Sequence, residues 1–341
     1  MPSSFTIPVP SDFDLKRDLC SYGYFLLAPN HWDVRRQVFT RTLLLDDRAV
    51  TLRVSQKSTG SPLKVAADAT LSRMGRDEAT RQISRMLRLD EDAAHLAAFH
   101  AVDPRWGESG RGRIMRSPTL FEDIIKTVTS CNVTWPSTIV MNRRLCEVLG
   151  KQSSSGLFAF PDAKKLASAR AQTLRARCRV GYRDARIIEL AKLYLKAERG
   201  GRPARQTAKP TTKPSTKAAP LIDLAVLNDL ATSDDMIFKS LVALPGIGPY
   251  AAANIMQLLG RYARLPLDTE SVRHGRTLLG FKGSSAQVMR KVQAHFKPFG
   301  DHAFRSYWFE MWAFYESKHG PAWTWERDST GKMFTAAQLS Q

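Results

Sequence analysis

The stretch "LPGIGPYAAANIMQLLG", residues 244–260, constrains this chain more than any other. Ile237, Leu241 and Leu244 lead into it at helical spacing, and Ala252, Ile255, Met256 and Leu259 continue at helical spacing beyond it. Between them stand Pro245, Gly246, Ile247 and Gly248, so the spacing predicts two helices joined by a glycine hairpin. Such a hairpin exposes backbone N–H groups and the positive end of its second helix, which suits one phosphate. Neither a lysine nor a serine follows the glycines, so any chemistry has to come from elsewhere in the chain. A lone Gly-x-Gly turn also joins helices in many proteins without touching a ligand.

Charge tips that balance toward a ligand. The 341 residues carry 51 Lys and Arg against 32 Asp and Glu, a formal charge of +19, which favours a polyanionic partner and nucleic acid first among them. The length suffices for two or three packed units. No apolar run approaches the roughly 18 residues of a membrane span, and the start "MPSSFTIPVPSDFDLKRD" lacks a secretory signal pattern. The expectation is a soluble, intracellular, monomeric protein that works on DNA, away from any membrane. Cys20, Cys131, Cys146 and Cys178 form no C-x-x-C pair, so no zinc knuckle, iron-sulfur loop, other metal or cofactor is expected.

The chain divides by pattern. "QVFTRTLLL" and "RAVTLRVSQ", separated by "DDR", read as a β-hairpin, and the aromatic stretch "SYGYFLLAPNHW" before them reads as a strand. From about residue 76 helices dominate: Ile83, Met86, Leu87 and Leu96 keep near-helical spacing. Ser117 and Pro118 look like the cap and first position of a helix carrying Leu120, Ile124, Ile125 and Val128, with a break near 132–136 before a second helix. "KAERGGRPARQTAKPTTKPSTK", residues 196–217, holds too few apolar side chains to fold and contributes +6 of the +19, so the basic character survives its removal. It reads equally as a solvated linker and as a source of non-specific phosphate contacts. The expected organisation is a sheet subdomain with a helix at 1–100, a helical subdomain at 101–195, a basic insertion at 196–219, and the hairpin with C-terminal helices at 220–341.

Downstream of the hairpin, Asp268 opens a helix in "LPLDTESVRHG". An N-cap needs no other purpose, but a helix N-terminus also favours an ionised carboxylate, so an obligatory anion is expected there.

With those residues together, the chain resembles the helix-hairpin-helix GPD superfamily of DNA glycosylases, the base-excision repair enzymes. The likeness rests on the L-P-G-I-G hairpin with its aspartate. It extends to "FEDIIKTVTSCNVTWPSTIVMNRRLCEVLG", "FAFPDAKKLA" and "RVGYRDARIIELAKLYL", which resemble, in order, helices of the 8-oxoguanine and bacterial 3-methyladenine glycosylases. It implies an α+β fold: an N-terminal antiparallel sheet followed by a mainly helical core of two subdomains with the hairpin motif. Bifunctional members carry a lysine two residues after the second hairpin glycine; Tyr250 stands here, and alkylbase glycosylases likewise carry an aromatic residue there. No cysteine follows Cys178, which argues against the groups that end in an iron-sulfur loop.

The resemblance therefore implies a monofunctional enzyme acting on double-stranded DNA that carries a damaged base, most closely an alkylated purine such as 3-methyladenine. Asp268 is its catalytic carboxylate, and Pro245, Gly246, Ile247 and Gly248 grip the strand. Asn132 falls where an asparagine fills the gap left by the flipped base, Tyr182 where a wedge enters the duplex, and Arg183 where a companion meets the orphaned base. By themselves Asn132 and Tyr182 read as a helix-terminating asparagine and a turn tyrosine. Of the available rings, Trp135 and Tyr250 are assigned to the base pocket. Tyr22, Tyr24, Phe25, Tyr307, Trp308 and Trp312 are read mainly as core. The alternatives are a glycosylase for an oxidised or deaminated base, with or without lyase activity from another lysine, and a non-catalytic DNA-binding protein. Phosphate binding alone gives the second no use for Asp268.

Overall fold

A computed structural model describes residues 2–200, 222–327, 329 and 330. Five strands, β1 (Ser4–Ile7), β2 (His31–Asp33), β3 (Val38–Leu45), β4 (Arg48–Ser55) and β5 (Leu63–Ala67), form one antiparallel sheet in the order β1-β5-β4-β3-β2. The expected hairpin is β3–β4, with Leu43 opposite Val50 and Leu45 opposite Arg48. Asp46 and Asp47 both adopt positive φ (49° and 59°), the backbone that a tight hairpin turn requires and that aspartate tolerates.

The stretch expected as an aromatic strand folds otherwise. Gly23–Leu26 is a single 3-10 turn whose neighbours bond locally, Phe25 N–H to the Tyr22 carbonyl and Leu27 N–H to that of Tyr24, and only His31–Asp33 joins the sheet. Tyr22, Tyr24, Phe25, Leu26 and Leu27 are all buried, so this segment lies inside the molecule, with its backbone satisfied by the turn. Two helix boundaries also differ from expectation. The helix after the basic turn is Leu120–Ser130, capped by the Thr119 hydroxyl, while Ser117 N–H donates to Asp123 Oδ1 at 2.8 Å. Leu96 belongs to a separate helix, Ala93–Val102, because the preceding helix Arg73–Met86 stops before Arg88, which adopts φ +59°.

Two apolar cores result. The first joins the sheet to the helices Arg73–Met86, Ser285–Phe296 and Ala303–His319. The second packs Leu120–Ser130, Trp135–Leu149, Asp184–Glu198 and the hairpin helices Asp234–Val242 and Pro249–Leu258. The described helices of the expected 220–341 unit thus serve both cores. Helix Asp184–Glu198 carries the first residues of the expected basic insertion, and 201–219 lie outside the described residues. Two buried arginines tie the halves: Arg88 Nη2 donates to the Gln257 carbonyl at 2.7 Å and Arg116 Nη1 to that of Leu258 at 3.0 Å. They place positive charge on the C-terminal carbonyls of the second hairpin helix and so fix its axis.

Candidate active site

The cavity of interest, about 470 Å³, opens where the two cores meet. Two hydrogen bonds cross the junction beside it: the Tyr22 hydroxyl donates to Asn254 Oδ1 at 2.8 Å, and Tyr24 and Thr127 share a bond of 3.0 Å. Helix Ala303–His319 turns Trp308, Met311, Trp312 and Tyr315 onto one face, the i, i+3, i+4, i+7 stripe of a helix, and that face lines the cavity. Trp308 and Trp312 stack with centroids 5.2 Å apart, and Tyr22 meets Trp308 at 4.8 Å. Tyr250 and Trp135, the two rings singled out in the sequence, line the same space. Gly23 makes room for Trp135, since a Cβ there would sit 2.8 Å from its indole. Of the rings read from sequence as core, Tyr22, Tyr24, Tyr307 and Trp312 are buried core and cavity wall at once, Trp308 is half-buried against the core and lines the cavity, and Phe25 is core without lining it.

Asp268 lines this cavity from the N-terminus of helix Thr269–Thr277. Its Oδ1 accepts the N–H groups of Glu270 (2.9 Å) and Ser271 (3.1 Å), and Ser271 Oγ returns a bond to the Asp268 N–H, a reciprocal capping box. Ser271 is held in turn by the Tyr307 hydroxyl at 2.8 Å. These bonds converge on Oδ1, not Oδ2. Burial pushes the carboxyl up to about 6, against the lowering pull of the Ser271 amide, with the Glu270 charge adding to the rise. The expected obligatory anion is therefore a carboxylate that takes up a proton near pH 6: desolvation outweighs the cap. Burial first and Asp268 second raise the Tyr250 hydroxyl well above the usual phenol range, so it stays neutral.

Among the described residues that line the cavity none is Lys, Arg or His, whereas Asp268 and Glu270 are carboxylates. Sequence reasoning missed Glu270; its only signal was its place two residues after the aspartate. Among the described residues no group of His, Cys, Asp and Glu is arranged to hold a metal ion. The Cys20, Cys146 and Cys178 thiols are buried and, with that of Cys131, unpaired.

The hairpin is formed as expected. Gly246 takes φ +75°, and a Cβ on it would come within 2.6 Å of Arg186 Cδ; a Cβ on Gly248 would meet nothing. Ile247 is buried and anchors the turn, while no side chain caps helix Pro249–Leu258, so its first amides remain for an outside acceptor. Asn132 is exposed in the loop after Ser130, with φ +50°. Tyr182 is 53% exposed, its ring flanked by the guanidinium groups of Arg183 at 4.5 Å and Arg186 at 5.2 Å. Arg183 departs from the expected base contact, because its guanidinium is buried and turned inward. It donates to the carbonyls of Val128 (3.1 Å), Val180 (3.4 Å), Asn132 (3.3 Å) and Cys131.

Three solved structures align with nearly the whole chain. The 3-methyladenine DNA glycosylase of Archaeoglobus fulgidus superposes with a TM-score of 0.61 at 15% identity, over 88% of this chain and 95% of that one. The Clostridium acetobutylicum 8-oxoguanine glycosylase/lyase in complex with double-stranded DNA gives 0.61 at 18%, over 94% and 99%. MBOgg1, in complex with a low-affinity DNA ligand, gives 0.63 at 17%, over 93% and 96%. The chain has the DNA glycosylase fold. No protein-family model matches the sequence, and no curated protein matches it. The glycosylase fold accounts for the α+β architecture, with the antiparallel sheet leading a helical body. No helix among the described residues is long and apolar enough to cross a membrane.

Proposed function

We infer that the protein is a monofunctional DNA glycosylase, an intracellular, monomeric enzyme that flips an alkylated purine such as 3-methyladenine out of duplex DNA and hydrolyses its N-glycosidic bond. The observation that carries this reading is a cavity walled by aromatic rings, with no lysine among the described residues that line it and with a helix-capping carboxylate on its wall. As the bond breaks, positive charge develops on the deoxyribose. A fixed carboxylate near the sugar lowers the barrier where that charge appears. Asp268 supplies the carboxylate and helps orient the attacking water.

The remaining residues divide the work of getting the base there. Pro245, Gly246, Ile247 and Gly248 hold a backbone phosphate against the uncapped helix. Tyr182 wedges into the stack and Asn132 fills the vacated place, while Arg183 serves the orphaned base indirectly by holding the Asn132 loop. Extruding a base costs a few kcal/mol, less where damage has weakened its pairing. Face-on rings then add about 0.5 to 2 kcal/mol for a base that carries positive charge. Tyr250 stands where a lyase needs an amine, so the product is an intact strand with an abasic site.

Duplexes that each carry one defined lesion test this reading. Strand cleavage at an alkylpurine should require hot alkali after incubation. Cleavage without alkali, or a covalent protein–DNA adduct trapped by borohydride, contradicts a purely hydrolytic enzyme.

A further inference from the structure

Glu270 shares the cavity with Asp268, and its carboxylate is braced from behind. Oε2 accepts the Tyr315 hydroxyl at 2.5 Å and Arg273 Nε at 2.8 Å. The Arg273 guanidinium lies 4.7 Å from the Phe314 ring centre and 5.1 Å from that of Tyr315, so the brace is itself packed. The bonds gather on Oε2, which leaves Oε1 as an acceptor. Arg273 offsets part of the Glu270 charge from behind, but no Lys, Arg or His among the described residues lines the cavity itself, so toward the cavity the carboxylate repels phosphate and attracts a cation.

We propose that Glu270 is the side chain by which this cavity selects a positively charged nucleobase; the proposal rests on the glycosylase reading above. A purine alkylated on a ring nitrogen carries its charge only while joined to the sugar. When the C1′–N bond breaks, its electron pair passes to the purine, which leaves neutral. The positive charge moves to the deoxyribose, and water adds its oxygen at C1′ and gives up a proton. The pull of Glu270 is thus felt by the bound substrate and vanishes as the base departs. Glu270 acts on binding and choice of base, and Asp268 on the barrier.

The test is Glu270→Gln, which keeps the shape of the side chain and removes its charge. Single-turnover excision is measured on duplexes with one 7-methylguanine, cationic, or one hypoxanthine, neutral. The half-saturating protein concentration should rise about tenfold more for 7-methylguanine than for hypoxanthine, with the loss carried by half-saturation and not by the saturated rate. An equal rise for both lesions, or a loss confined to the saturated rate, overturns the proposal. A native protein that releases hypoxanthine but not 7-methylguanine overturns it too and leaves the glycosylase reading standing; one that releases no base from any lesion duplex removes that reading itself. Equilibrium binding separates Glu270 from the rings and checks the variant's folding: Glu270→Gln should bind a duplex carrying the neutral 7-deaza isostere as tightly as the native protein does, and a duplex carrying 2′-fluorinated, release-resistant 7-methylguanine about tenfold more weakly. An unchanged preference for the 7-methylguanine duplex overturns the proposal.

Discussion

Arg183 Nη2 donates to the main-chain carbonyl of Asn132 at 3.3 Å, so the residue assigned to the vacated base position is held from beneath by the neighbour of the proposed wedge. The same guanidinium carries the Tyr182 ring at 4.5 Å. Arg183→Met should leave the Asn132 loop carbonyls without their donors and cost about 2–4 kcal/mol in urea unfolding. Arg183→Lys should recover only part of that loss, because one ammonium cannot match the guanidinium fork. A loss below about 0.5 kcal/mol for Arg183→Met would mean that the loop holds itself.

The two hairpin glycines should separate folding from binding. Gly246→Ala forces a Cβ at φ +75° against Arg186 Cδ and should destabilise the protein by about 1–3 kcal/mol. A Cβ on Gly248 has no neighbour within 4 Å among the described residues, so Gly248→Ala should change unfolding by less than about 1 kcal/mol while its new methyl group obstructs the phosphate proposed to bind there. Its affinity for damaged and undamaged duplexes should fall by similar factors, as expected of a backbone contact. Selective loss of damaged-site binding would place the hairpin elsewhere in recognition.

Burial of Asp268 has opposite consequences for stability and for rate. A carboxyl raised from 3.8 to about 6 holds its proton more tightly in the folded state, so ionising it costs folding free energy. That cost is absent below about pH 4 and complete above about pH 6, and a gap of this size is worth roughly 2–3 kcal/mol. Asp268→Asn, which still caps the helix, should therefore be more stable than the native protein at pH 8, with the advantage fading toward pH 4. Excision by the native protein should fall about tenfold per pH unit below about 6, as the working anion is protonated. A variant no more stable at pH 8, together with a rate flat to pH 5, would show that the carboxyl titrates in the ordinary range.

What could be read beforehand was what is local. Periodicity and turn chemistry around Gly246 and Gly248 gave both hairpin helices, Asp46 and Asp47 marked the sheet hairpin, and Asp268 was legible as a cap because capping is decided within three residues. The stretch from Tyr22 to Leu27 was not legible, since its ring-rich composition suits a strand and an interior turn alike, and tertiary burial decides between them. Nor was the cavity: Tyr22 and Trp308 meet from opposite ends of the chain, and an aromatic stripe on a helix looks the same whether it faces a core or a void. The inward turn of Arg183 and the brace on Glu270 depend on carbonyls and rings supplied by other elements, which no local pattern announces.

The central claim is that Asp268 works on the sugar of a base held in the aromatic cavity. It is tested most directly by single-turnover release of an alkylpurine from duplex DNA by the native protein and by Asp268→Asn, with DNA affinity measured in parallel. The account predicts a fall in rate of about 100-fold or more, with affinity for the damaged duplex retained within a few-fold. An Asp268→Asn protein that releases the base as fast as the native one would contradict it.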